Sequence, residues 1–233
     1  MKRSLVVILL LSCIIGFSQQ GIFSKNPILN KQTFDKRLYH LGFYLGFNDL
    51  GFKTDYIQNV RKEIETNSEL GFNVGVIGNL RINDFFNLRF EPGFCITQRN
   101  LVYPYIEDQV DRNREVKSTY VYFPLLFKYS ALRSGNIKPC ILAGYSRILN
   151  LNSNHDAKDD NYSNRFRMTK WTNAYELGLG IDIYFEYFKF SPSIRGVFSL
   201  GDELIRDNDP NSPWTSNVLH MKTRGVFLNF AFH

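Results

Sequence analysis

The chain has 233 residues, of which 44% are hydrophobic and 21% charged, so it can form one folded domain and is not intrinsically disordered. Its three cysteines are too few for a disulfide scaffold or a repeated zinc module. A mean hydropathy of −0.24 excludes a bundle of membrane-spanning helices but not a membrane β-barrel, whose strands are apolar on one side only.

Residues 1–18 are predicted to be a signal peptide. Basic residues Lys2 and Arg3 precede an uncharged apolar run, which is shorter than the ~20 residues of a membrane-spanning helix. A lipoprotein box that would acylate Cys13 is the alternative. Cleavage after Ser18 lowers the formal net charge by two, from +6 to +4. This charge is too small to indicate nucleic-acid binding, and export from the cytoplasm also argues against it.

The rest of the chain shows the two-residue period of β-strands. In the first predicted strand, large apolar residues from Leu41 to Phe47 alternate with Gly42 and Gly46, which gives one apolar face and one face of small residues. Similar patterns recur along the chain, although the faces of the fifth strand are not clear. The eight predicted strands cover residues 40–47, 70–81, 86–96, 119–129, 137–149, 173–184, 189–200 and 222–232.

The connections between these strands alternate strictly between short and long. The short ones are 82–85, 130–136 and 185–188, and the long ones are 48–69, 97–118, 150–172 and 201–221. This asymmetry is typical of outer-membrane barrels, which have tight periplasmic turns and long outer loops. We therefore expect an all-β, eight-stranded, up-and-down antiparallel transmembrane barrel over residues 39–233, preceded by a periplasmic segment at 19–38. An even strand number places both termini in the periplasm.

A soluble barrel of the lipocalin type is the structural alternative, with its apolar face inside. The opposite face of such a barrel meets water and would be rich in Lys, Glu and Thr, whereas here it carries glycine, serine and a few opposed charges. Small residues and paired charges suit a narrow lumen filled by side chains. The residues predicted to form an interior ion-pair network are Arg81, Arg89, Glu91, Lys128, Glu176, Asp182 and Arg195.

Residues that could carry chemistry are few. Cys95 and Cys140 fall on strands separated by a third, which is too far apart for a disulfide, so two separate thiols are expected. The acidic stretch 155–160 lacks the glycine and final glutamate of a calcium loop, and is interpreted as a solvated loop. Ser153 and His155 could form an enzyme site at the rim, but nothing in their pattern fixes a geometry. No catalytic, cofactor-binding or metal-binding residue, no cofactor and no small-molecule substrate is assigned.

The loop at 209–214 reads Asp-Pro-Asn-Ser-Pro-Trp, and its two prolines stiffen the backbone. We expect Trp214 to be exposed on this rigid loop. It would then serve either as a contact for a partner or as an aromatic residue resting at the membrane interface.

Several runs resemble the PorT family, also called SprT, of outer-membrane barrels in the type IX secretion system. The most specific are Lys189-Phe-Ser-Pro-Ser-Ile-Arg-Gly196 together with the 209–214 loop. Supporting matches are 40–48, 71–76, 87–93 and 122–129, the last of which reads Tyr-Phe-Pro-Leu-Leu-Phe-Lys-Tyr and is shared by other barrels of the wider superfamily. The resemblance implies a non-enzymatic role in exporting cell-surface proteins, such as gliding adhesins, with other secretion subunits and outer-membrane lipid as partners.

An eight-stranded barrel has no room for a translocated protein, because side chains fill its lumen. A secretion role would therefore be that of a scaffold, assembly or accessory subunit, acting through the outer loops and residues 19–38. A generic structural or adhesive barrel that works through its extracellular loops is the alternative function.

Overall fold

The computed structural model describes residues 29–57, 63–157 and 165–233. The predicted signal peptide and Cys13 lie outside these residues. Ten strands are found: β1 (Tyr39–Tyr56), β2 (Glu65–Ser68), β3 (Leu70–Arg81), β4 (Phe86–Phe90), β5 (Gly93–Val102), β6 (Asn113–Ser130), β7 (Ile137–Asn150), β8 (Trp171–Tyr184), β9 (Lys189–Ser199) and β10 (Val218–Phe232). A four-residue helix, α1 (Gln109–Arg112), precedes β6, and a 3-10 helix covers Phe34–Lys36.

The ten strands form one closed antiparallel ring with eight strand positions, called here staves, because two of the positions are each shared by two strands. Strands β2 and β3 are successive parts of one stave, and so are β4 and β5, both of which pair with β3 and β6. The break between β4 and β5 falls at Pro92, which has no backbone N–H to donate. The ring closes where β1 pairs with β10, from Phe43 opposite Phe232 to Tyr56 opposite Val218. The predicted eight-stranded fold is thus confirmed.

Three staves continue well beyond the predicted ends. Strand β1 extends to Tyr56, and the hairpin of β5 and β6 continues to Val102 opposite Asn113. The predicted connections 48–69 and 97–118 are therefore partly strand. Their polar side chains favoured loops, but the backbone groups there still find partners on a neighbouring strand, and this pairing outweighs local composition.

The outward face of the ring is an apolar band. Leu41, Phe94, Leu177 and Leu179 are among its exposed residues, and Leu179 is 61% exposed. The inward face carries the polar and small residues, as predicted, together with buried apolar residues such as Leu50, Ile77 and Leu126. The unclear fifth strand, now β7, follows the same rule, with Lys138, Cys140 and Leu142 inside and Ile141 and Tyr145 outside.

Short turns join the strands at one end of the ring, called here the turn end, at 82–85, 131–136 and 185–188. The longer connections lie at the opposite end, called the loop end. Exposed aromatic residues border the band at the turn end, including Tyr39, Phe86 and Tyr187, as interfacial aromatic girdles do. No helix in the described ranges has the length and apolarity needed to cross a membrane.

Glycines on the inward face make room for one large side chain. Tyr44 of β1 is buried and donates a hydrogen bond to the carbonyl oxygen of Glu91, 3.3 Å away. A Cβ atom at Gly75 or Gly93 would collide with the Tyr44 ring. The alternation of glycine with large apolar residues thus packs the lumen as well as forming the outer band.

Candidate functional site: a filled lumen closed at both ends

The middle of the lumen holds a buried ion-pair network around Glu91. Arg89 Nη2 lies 2.6 Å from Glu91 Oε1, and Arg195 Nη1 lies 2.9 Å from Glu91 Oε2. The same Arg195 nitrogen is 3.2 Å from Glu176 Oε2, and Ser146 donates a hydrogen bond to the other oxygen of Glu176. Each carboxylate therefore faces at least one guanidinium, which offsets the cost of burying its charge.

A second network lies closer to the turn end and is centred on Asp182. Lys128 Nζ is 2.6 Å from both carboxylate oxygens, and Lys189 Nζ is 3.6 Å from Oδ2. Ser191 Oγ donates to Asp182 Oδ1 at 2.7 Å. The network connects β6, β8 and β9 through side chains that are almost fully buried.

Six of the seven charged residues predicted for the interior belong to these two networks, so that prediction is confirmed for them. Arg81 is the exception. It is the last residue of β3, at the partly exposed edge of the turn end, and it pairs with Asp84 in the adjoining turn. Arg81 lies on the inward side of β3, as predicted. Because it is at the end of the strand, it pairs with an exposed carboxylate of the adjoining turn instead of a buried one.

Further cations are buried that the sequence analysis missed. Arg99 is fully buried, donates to Tyr120 Oη at 2.7 Å and has its guanidinium carbon 4.2 Å from the centre of the Phe52 ring. Arg114 is also buried and has its guanidinium carbon 4.5 Å from the centre of the Trp214 ring. Both residues lie beyond the predicted ends of strands three and four. Extending the two-residue period past those ends would have found them.

Side chains leave almost no free space in the centre of the lumen. The cavity bordered by Tyr44, Tyr122, Arg195 and Phe227 has a volume of about 10 Å³, close to that of a single water-sized probe. The ring therefore does not enclose a channel for a polypeptide.

Residues 29–38 close the turn end of the ring. Phe34 is buried beside Lys189, whose Nζ lies 5.0 Å from the ring centre. Tyr184 Oη donates to both oxygens of Asp35, at 2.8 and 2.7 Å. Asn30 donates its backbone N–H to Asn136 Oδ1 at 3.0 Å. The part of the predicted 19–38 segment that the structure describes is thus packed against the barrel.

The loop end is closed by a buried apolar cluster, called here the loop cluster. Its members come from four connections and the adjacent strand ends: Ile64, Leu101, Tyr103, Val116, Phe166, Met168, Leu204, Trp214, Val218 and Met221. Asp202 and Glu203 fasten the last connection to β10, since Asp202 accepts from the Met221 N–H at 2.9 Å and Glu203 from the Thr223 N–H at 2.9 Å.

Both interpretations of Trp214 as an exposed residue are wrong. Its side chain is 4% exposed, and its Nε1 donates to the carbonyl oxygen of Asp111 at 3.1 Å. The 209–214 loop folds inward over the strand ends, because an indole surrounded by the apolar loop cluster is more stable there than in water.

The other candidate residues are not brought into a catalytic arrangement. Cys95 and Cys140 are free and buried, so the prediction of two separate thiols is confirmed. Ser153 is buried whereas His155 is exposed, and no hydrogen bond joins their side chains in this described part of the chain. Residues 158–160 of the acidic stretch lie outside the described residues. Within the described ranges, no group of three or more His, Cys, Asp or Glu could hold a metal ion.

A closed antiparallel ring with an apolar outer band and a charged, filled interior defines the class of small membrane β-barrels. The chain belongs to the outer membrane protein beta-barrel domain family, whose model matches residues 17–204. The membrane barrel is therefore favoured over the soluble alternative.

The fold can also be compared with solved structures. OprG from Pseudomonas aeruginosa is similar at 14% identity and a TM-score of 0.47, covering 83% of this chain and 95% of OprG. AlkL in lipid bilayers is similar at 14% identity and a TM-score of 0.43, covering 90% of this chain and 93% of AlkL. Ail of Yersinia pestis is similar at 11% identity and a TM-score of 0.36, covering 82% and 95%. No curated protein matches the sequence.

Proposed function

We propose that this barrel is a non-enzymatic accessory subunit of the type IX secretion system, of the PorT type. The single observation that carries the proposal is the run Lys189–Gly196 followed by the Asp-Pro-Asn-Ser-Pro-Trp loop at 209–214. In the structure the first run lies within β9, and the second contributes Trp214 to the loop cluster. The first run begins at the turn end, where Lys189 lies beside Phe34, and the second lies at the loop end.

The filled lumen limits what such a subunit does. Exported proteins do not pass through a ring whose centre is occupied by Tyr44, Tyr122 and Arg195. A secretion role for this barrel is therefore to hold, assemble or regulate other subunits. Its working surfaces are the outer connections and the segment at 19–38.

The proposal includes a topology. Residues 1–18 are removed on export, the turn end and both termini face the periplasm, and the loop end faces outward. The short turns and the aromatic residues around them support this orientation, since outer-membrane barrels have short turns on the periplasmic side. Protease added to intact cells should cleave a site inserted at 103–112 and should leave one inserted at 131–136 uncut.

Deleting the gene tests the secretion role. Export of proteins that bear the type IX carboxy-terminal signal should stop in the deletion strain and return when the full chain is supplied. Unrelated outer-membrane barrels should reach the surface at normal levels in the same strain. Normal export of the signal-bearing proteins after deletion would rule the role out.

A structural or adhesive barrel that works through its loops is the second candidate. The apolar cluster that packs the outer connections together favours it, because a rigid loop surface suits recognition of an external ligand. Affinity purification separates the two: secretion subunits should co-purify under the first proposal, and a surface ligand under the second. A non-enzymatic role also predicts that His155→Ala leaves every measured function unchanged.

A further inference from the structure

A polar cavity of about 200 Å³ opens at the turn end of the barrel. It lies between the 82–85 turn, the 131–136 turn and the segment at 29–38 that closes the lumen. None of the residues of the two ion-pair networks lines this cavity. It is therefore a surface feature separate from the filled centre of the barrel.

The walls of this cavity are strongly basic. Five cationic and two acidic residues line it. The cationic residues are Lys36, Arg37, Arg81, Arg133 and Lys138, and the acidic residues are Asp35 and Asp84. Both carboxylates already have partners, because Asp35 accepts from Tyr184 and lies 3.7 Å from Lys138 Nζ, while Asp84 pairs with Arg81. Lys36 and Arg37, on the 3-10 helix and the residue after it, are exposed and line the cavity.

A buried donor without a partner also lines the cavity. Asn79 of β3 is 4% exposed, and its Nδ2 has no hydrogen-bond partner in the described part of the chain. A buried amide N–H that stays unpaired costs free energy, so an acceptor placed in this cavity would gain from meeting it. Cationic side chains at the rim and an unpaired donor in the wall are together complementary to an oxyanion.

The deeper structure adds to the positive charge. The buried network nearest to the cavity holds two lysines, Lys128 and Lys189, against one carboxylate, Asp182. Lys128 and Lys189 lie behind the segment that forms one wall of the cavity.

We propose that this cavity binds a carboxylate-bearing side chain or chain end of an acidic peptide segment from a periplasmic protein. Its volume is below the roughly 300–1,000 Å³ typical of sites for larger small-molecule ligands, which suits one acidic group with its backbone. The proposal places a docking point on the face that the suggested topology puts in the periplasm. It rests on the geometry of the turn end and on the topology proposed above, and it holds whether or not the barrel serves the type IX system.

Binding is measured on the full mature chain folded in detergent micelles, with a fluorescein-labelled Gly-Glu-Asp-Glu-Gly peptide as the probe. The amidated control peptide carries Gln and Asn in place of the three acidic residues. The acidic peptide should bind at least about tenfold more tightly than the control, a difference of about 1.4 kcal/mol. Raising NaCl from about 0.1 M to about 1 M should weaken it, because the Debye length falls from ~10 to ~3 Å.

Variants locate the binding. The double variant Lys36→Gln with Arg37→Gln, and separately Asn79→Asp, should each weaken binding of the acidic peptide by about tenfold or more. Lys117→Gln changes an exposed lysine at the opposite end of the barrel and should leave binding unchanged. Lys36 and Arg37 are both exposed, although the Arg37 guanidinium carbon lies 5.7 Å from the centre of the buried Phe34 ring. The effect of this double variant can therefore be measured even if Asn79→Asp impairs folding. Equal affinity for the two peptides, or unchanged binding in the Lys36 and Arg37 double variant, would overturn the proposal.

Discussion

Arg195 Nη1 and Glu91 Oε2 lie 2.9 Å apart inside the barrel, and together they join β9 to the point where Pro92 interrupts the stave formed by β4 and β5. Both side chains are almost completely buried. The ion pair thus crosses the lumen beside the break between β4 and β5. It supplies a tertiary connection where a backbone hydrogen bond is missing.

Removing this arginine should destabilise the barrel strongly. Arg195→Gln leaves Glu176 and one oxygen of Glu91 without their guanidinium partner, and breaking a buried pair in this way costs about 3–5 kcal/mol. Unheated folded barrel migrates differently from boiled protein on a gel, so the temperature at which this difference disappears measures the effect. Arg147→Gln on the outer surface is the matched control and should shift that temperature little. Similar shifts for the two variants would contradict the role assigned to the pair.

The outer band should be in contact with lipid. Leu179 is exposed on the outside of β8, and placing arginine there costs about 2–4 kcal/mol if the site is near the bilayer midplane. A cysteine at 179, in a chain with Cys95 and Cys140 changed to serine, should react with pyrene maleimide dissolved in the lipid phase. A cysteine at Leu142, which is 2% exposed and faces inward, should remain unlabelled in the folded barrel. Protection of position 179 would mean that this face is covered by protein.

Trp214 should stabilise the packing of the loop-end connections but not the ring of strands. Trp214→Ala removes an indole from the loop cluster, and such buried truncations cost about 3–5 kcal/mol. We expect proteases to cut more readily within 103–112 and 200–217, while the gel mobility of the unheated barrel stays that of the folded form. Trp171→Ala alters an exposed tryptophan at the same end of the barrel and should leave both loops resistant. Equal protease sensitivity in the two variants would argue against the packing described.

Protonation of Asp202 in acid should destabilise the connection between β9 and β10. Asp202 lies outside the membrane-spanning strands. Burial alone would raise the pKa of this carboxyl, but hydrogen bonds from the Met221 N–H and the Arg206 guanidinium, each at 2.9 Å, lower it below 3.8. A lowered pKa in the folded state stabilises the connection fully above pH 3.8, and this contribution is lost as the pH falls through the lowered pKa.

Hydrogen exchange at the Met221 amide measures this effect. Its protection, corrected for the intrinsic exchange rate, should fall below pH 3.8 in the natural chain. Asp202→Asn should reduce the protection already at neutral pH and remove most of the pH dependence. An unchanged profile in Asp202→Asn would show that another group controls this connection.

The sequence alone determined the eight staves, the alternation of short and long connections, and which face points inward in seven of the eight predicted strands. These features depend on local rules, since the side chains of a strand alternate between two faces whatever its neighbours are. The same period identified Arg89, Glu91, Lys128, Glu176, Asp182 and Arg195 as interior residues. It also placed Arg81 on the inward side, although the end of the strand put that residue at the mouth.

The tertiary structure alone decided how each charge is paired, where the strands end, and how the barrel is closed. Pairing depends on the stagger of neighbouring strands, which brings Arg195 to Glu91 across 104 positions of sequence. The burial of Trp214 depends on apolar residues from four separate connections, and it cannot be predicted from the sequence of 209–214 alone. The basic cavity at the turn end likewise exists only where two turns and the segment at 29–38 meet.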